Sequence, residues 1–158
     1  MTSLHRSILI AARLLLGAIF IYLGLVKVVD PVAFLKVVRL FDVMGSPLAL
    51  NLVAAVLPWF EVFCGVLLLS AVKARAAAAL QFAMLTVFTV LVIVRAFTLH
   101  QQTGVAFWLV RFDCGCGSGE IIVWAKLLEN LGMMFLAGLL IAAGGVRTST
   151  GAGSPDRK

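Results

Sequence analysis

Charge is scarce in this sequence. Only 13% of its 158 residues are Asp, Glu, Lys or Arg, against 63% hydrophobic, whereas a soluble domain carries about a quarter charged and about half apolar residues. The scarcity excludes an ordinary water-soluble globule, because the apolar residues gather into blocks too long for so short a chain to bury. A bilayer accommodates them, since about 20 apolar residues in a helix span its hydrocarbon core. No signal-peptide cleavage site is evident, and the first apolar block exceeds the length of a signal-peptide core, so it reads as a retained helix. No internal repeat is visible. Cysteine is sparse too, at three residues. Two neighbouring thiolates are too few for a closed tetrahedral zinc site, and no metal is expected. The net charge is +6, but the basic residues sit mostly in short loops and tails beside the apolar blocks. With no basic patch and no known module, nucleic acid is not an expected partner.

What is present is four apolar spans, at about 8–29, 48–70, 76–99 and 121–143. Asp30-Pro31 ends the first, because proline cannot continue the helical hydrogen bonding and restricts its predecessor. Between spans one and two, Val32–Met44 alternates apolar residues with Lys36, Arg39 and Asp42 at near-helical spacing. It is too short to cross a bilayer and reads as an amphipathic helix at the membrane surface. Short connections and four spans predict an all-α membrane protein, an antiparallel four-transmembrane-helix bundle forming a single domain over residues 1–143. The Gly-, Ser- and Thr-rich stretch 144–158 reads as a flexible cytoplasmic tail.

An even number of spans puts both termini on one side. That side also receives Arg6, Lys73, Arg75, Arg147, Arg157 and Lys158. The opposite side holds Lys36, Arg39 and Arg111 with the acids Asp30, Asp42, Asp113 and Glu120. The positive-inside rule therefore predicts cytoplasmic termini and a loop 100–120 on the exterior or periplasmic face.

That loop contains Asp113-Cys114-Gly115-Cys116-Gly117. Two thiols one residue apart close a small, strained ring, and strain makes a disulfide labile. Gly115 accepts backbone dihedrals that other residues resist. An oxidising compartment lets the bond persist, and the chemistry that suits the pair is thiol–disulfide exchange, one thiolate attacking and the other resolving. A static staple is the competing reading, although one closing so few residues removes little chain entropy. Cys64 lies inside span two and reads as a small buried hydrophobe.

The sequence resembles the DoxX-like membrane proteins of the MauE type from Arg13 to about Ala143. The resemblance rests on Arg13, Gly17, Gly24 and Lys27 in span one, on Pro58-Trp59-Phe60-Glu61 followed by Gly65 in span two, and on Asp113-Cys114-Gly115-Cys116 before the last span. It departs from the family pattern at Gly117 and at Glu129-Asn130. The resemblance implies thiol or sulfur redox chemistry at the bacterial inner membrane, linked to maturation of exported proteins. It also implies a quinone as electron carrier, although no quinone-binding motif is visible.

Charged residues inside spans are costly and mark functional positions. Arg13 and Glu61 differ in expected depth by roughly 6 Å at the helical rise, which predicts a buried Arg13–Glu61 pair. The competing readings are snorkelling of Arg13 and a protonated Glu61 hydrogen-bonded within the bundle. Towards the exterior, Lys27, Arg95, Lys126 and Glu129, with Asn130, gather beneath the CGC loop. A cationic field there favours the thiolate or holds a carrier's oxygen. Ordinary interfacial anchoring is the alternative for each basic residue alone.

The expected function is thus a membrane thiol–disulfide redox protein. Cys114 and Cys116 are its catalytic pair, with a thioredoxin-like periplasmic protein or an exported client as partner. The alternative is a non-catalytic structural subunit of a larger membrane complex. A third reading, suggested by the intramembrane charges alone, is a small transporter or channel.

Overall fold

The computed structural model describes residues 3–41, 45–113 and 119–143. Four of its helices are long and apolar enough to cross a membrane: α1 (Ser3–Val29), α3 (Pro47–Leu69), α4 (Ala74–Thr103) and α5 (Val123–Ala142). The short α2 (Pro31–Leu40) stands between the first two of these. A single turn of 3-10 helix at Phe107–Leu109 leads into a small antiparallel hairpin, β1 (Arg111–Asp113) and β2 (Glu120–Ile122). The CGC motif and the C-terminal tail lie outside the described residues.

Local chemistry explains most of the boundaries. Asp30 caps α2, its carboxylate accepting the Ala33 backbone N–H at 2.9 Å, and Pro31 sits in the first turn, where its missing N–H costs nothing. Pro47 opens α3 in the same way. Ala71 and Lys73 adopt left-handed backbone angles in the tight turn between α3 and α4. Gly104, with φ +69°, ends α4, its N–H returning to the His100 carbonyl.

Within the stretch expected to be a plain loop from His100 to Glu120, the described residues carry more regular structure than the sequence suggests. α4 continues to Thr103, and residues 111–113 pair with 120–122 in the register Phe112↔Ile121. Because 120–122 are taken into the hairpin, α5 starts at Val123. The hairpin is anchored by Phe112, which is buried with Val110, Val92, Ala96 and Val123 and meets Phe41 edge-on at 6.2 Å.

The long helices pair as consecutive spans. α1 packs most closely against α3, and α4 against α5. The α1–α3 seam is built on glycine. Ideal Cβ atoms placed on Gly24 and Gly65 would lie 2.8 Å from the backbone carbonyls of Pro58 and Gly17 respectively, so the two backbones touch as small-residue seams permit. A lower core of Leu9, Leu16, Phe20, Leu68, Leu85 and Met133 joins all four helices. The outer surface carries exposed Leu15, Tyr22, Trp59, Val87 and Phe135, the pattern of a surface that lipid solvates. α2 turns Phe34 and Val37 inward, while Lys36 and Arg39 stay exposed.

Candidate functional site

Glu61 does not meet Arg13. Its carboxylate holds the Lys27 ammonium instead, at 2.6 Å to each oxygen, with both residues buried. The glycine seam sets this register. Gly17 backs onto Gly65; Arg13 lies one turn below that contact and Glu61 one turn above it. Roughly 12 Å of helix axis therefore separates the two, whereas Lys27, in the last turn of α1, comes alongside Glu61. The sequence-based depth estimate failed because it counted inward from assumed span ends rather than from the actual contact. The Nε and Nη1 atoms of Arg13 are buried with no hydrogen-bond partner among the described residues.

The other expected polar residues divide. Lys126 is only 2% exposed. It donates to Glu129 at 3.0 Å, and its ammonium stands over the Phe88 ring at 5.9 Å. Glu129 is exposed and reaches back to Lys126 from the outer surface. Asn130 is fully buried and donates from Nδ2 to the Thr89 hydroxyl at 3.0 Å. Thr89 in turn donates to the Leu85 carbonyl at 2.6 Å. Arg95 is half-buried and lines neither of the two cavities described next.

The larger cavity, of about 460 Å³, lies beneath α2. Its wall takes Phe20 and Leu23 from α1, Val53 and Leu57 from α3, a face of α4 from Ala83 to Leu91, and Met133 from α5. Lys27, Glu61, Lys126 and Asn130 supply its polar residues. A smaller cavity of about 290 Å³ is lined by Asp30, by Lys27 and by Asp113 and Gly119, the residues that flank the CGC segment on either side. Lys27, Phe34 and Val37 line both cavities, and of these only Lys27 carries charge.

One family model matches over residues 5–143, that described as methylamine utilisation protein MauE. The chain belongs to the MauE family. It matches no curated protein and no solved structure. Membership of the MauE family, with four spanning-length apolar helices, makes this a multi-pass membrane protein and ties it to the methylamine utilisation system.

Cys114 and Cys116 lie outside the described residues. The described residues on either side of them are β1 and β2, which Phe112 packs against Val92 and Ala96 of α4 and Val123 of α5. Cys64 is free and fully buried. Among the described residues, no group of three or more His, Cys, Asp and Glu side chains gathers as a metal site would. Sequence reasoning missed the part α2 plays. Phe34, Val37, Val38 and Phe41 roof the larger cavity, and the signal was the amphipathic pattern itself, whose apolar face has two possible destinations, lipid and protein. It also missed Gln81, fully buried on α4 with both amide atoms lacking a partner among the described residues.

Proposed function

We propose that this MauE-family protein is a membrane thiol–disulfide redox component. Cys114 and Cys116 exchange with a thioredoxin-like protein or an exported client, and electrons pass to a quinone in the membrane. The observation that carries the reading is the shared wall of the two cavities. Lys27 stands between the pocket bordered by Asp113 and Gly119, on either side of the CGC segment, and the larger apolar cavity that borders the same ammonium group. A cation beside the hairpin stabilises a thiolate leaving group, and a strained short ring makes the disulfide easier to reduce. Both effects favour an oxidising couple. In this reading the termini are cytoplasmic, and the hairpin faces the periplasm of the inner membrane, in keeping with the distribution of basic residues.

A redox titration of the purified protein is expected to place the Cys114–Cys116 couple above roughly −300 mV, the level below which structural disulfides typically lie. Cys116→Ser is expected to trap a mixed disulfide through Cys114, identifiable by mass spectrometry. A couple titrating below that level, with no trapped partner, would return the loop to a static staple and the protein to a structural subunit. The topology has its own check. A membrane-impermeant maleimide applied to reduced, intact spheroplasts of a Cys64→Ala strain is expected to label the hairpin cysteines; labelling only after rupture reverses the orientation.

A further inference from the structure

We propose that the cavity beneath α2 is the binding site of the quinone, entered sideways from the bilayer between α3 and α4. The proposal rests on the redox reading above and gives its electron acceptor a location. The cavity volume of about 460 Å³ falls within the range of small-molecule sites, about 300–1,000 Å³. Two of its lining residues on α4, Ala83 and Val87, are exposed on the apolar outer surface. The cavity therefore communicates with the region that lipid occupies, and a ligand reaching it that way must be lipid-soluble.

The polar groups narrow the class further. Lys27 lies in the last turn of α1 and Lys126 in the first turn of α5, so both belong to the hairpin end of the bundle. Lys126 and Glu61 line the same cavity. The Asn130 amide is oriented by its neighbours. The Thr89 hydroxyl spends its proton on the Leu85 carbonyl and can only accept from Asn130, which fixes Nδ2 towards Thr89. Asn130 Oδ1 is thereby left as a buried acceptor with no partner among the described residues, an arrangement that costs stability unless a donor arrives. The site thus offers an ammonium donor and an amide acceptor on one helix, one turn apart. A quinone oxygen accepts from the first as a carbonyl, and donates to the second once reduced to a hydroxyl. A ligand whose oxygens change from acceptor to donor finds a partner in both states.

The chemistry balances. The Cys114 and Cys116 thiols lose two S–H bonds and form one S–S bond, and two electrons and two protons pass to the quinone, whose carbonyls become the two O–H groups of the hydroquinone. Lys27, paired to Glu61, borders both cavities and so stands between the hairpin pocket and the quinone site.

The test needs no turnover. The full-length oxidised protein in lipid nanodiscs is photolabelled with an azido-ubiquinone analogue, and the labelled peptides are mapped. Label is expected on α4 around 83–91 and on α5 around 126–133, competed away by unlabelled short-tailed ubiquinone. Lys126→Met and Leu57→Trp are each expected to weaken competition about tenfold or more, as loss of one charge-assisted hydrogen bond or filling of a cavity would do. Val90→Trp, on an exposed face of α4 outside the cavity, is expected to change nothing. Label spread over the outer surface, or equal displacement by a phospholipid, overturns the site. Failure of the variants to fold would leave the wild-type map to decide. If the hairpin cysteines exchange normally while no quinone binds, the site falls and the redox reading survives. If quinone binds here while the cysteines prove inert, the reverse holds.

Discussion

Replacing Gly65 or Gly24 with leucine is expected to abolish accumulation of the folded protein. The smallest possible side chain already fails to fit. A Cβ at Gly65 would stand 2.7 Å from Ile21 Cγ1 and 2.8 Å from the Gly17 carbonyl; one at Gly24 would stand 2.7 Å from Val62 Cγ2 and 2.8 Å from the Pro58 carbonyl. A side-chain methyl moves out of the way, but a helix carbonyl does not, so α1 and α3 must separate. Overpacking of a tight core costs about 1–3 kcal/mol, and the alanine variants are expected in that range. Leucine extends the collision along the whole seam and is expected to exceed it. Gly17→Ala is the graded case, with its closest approaches at 3.0–3.1 Å, and is expected to be milder than either. Gly132→Ala on α5 meets nothing within 4 Å and serves as the control. Unfolding in mixed micelles by increasing dodecyl sulfate, followed by circular dichroism, ranks the series. Equal stability of Gly65→Ala and Gly132→Ala would show that the seam is not in contact.

The second large effect concerns the buried pair. Lys27→Met leaves a carboxylate, and Glu61→Leu an ammonium, inside an apolar bundle. Removing one partner of a buried ion pair costs about 3–5 kcal/mol, while replacing both by apolar residues of similar volume is often neutral. Each single variant is expected to lose that much in the same micellar titration, and Lys27→Met/Glu61→Leu to recover most of it. Arg13→Ala combined with Glu61→Leu is expected to be additive, because side chains that share no partner do not couple. A double-mutant cycle showing coupling between Arg13 and Glu61, and none between Lys27 and Glu61, would reverse the assignment.

The same pair shows where the sequence was legible and where it was not. The spans were readable because length and hydropathy alone decide them, and α2 because its charges repeat with helical spacing. Lys27, Lys126 and Asn130 were marked by being polar where polarity is costly, and the structure brings all three to one cavity with Glu61. Partner choice was not readable. It depends on the register of α1 against α3, which Gly17, Gly24 and Gly65 fix by backbone contact, and glycine carries no hydropathy signal by which depth is read. Arg95 looked equivalent to Lys126, but helical phase puts Lys126 on the inner face of α5 and leaves Arg95 outside both cavities. The hairpin was missed because strands of three residues lie below the length at which alternation can be recognised.

The pairing of the first span with the second through Lys27 and Glu61 has a consequence for how the chain enters the membrane. During synthesis α1 leaves the ribosome well before Glu61 exists, so Lys27 begins life in the bilayer without its counter-ion. Its position in the last turn of α1 lets the ammonium reach up to the headgroups meanwhile. Glu61, deep within α3, has no such refuge, and a carboxylate there must be met as it arrives. The first helix thus acts as a waiting receptor for the third, and the order in which the helices are made is also the order in which their charges become tolerable.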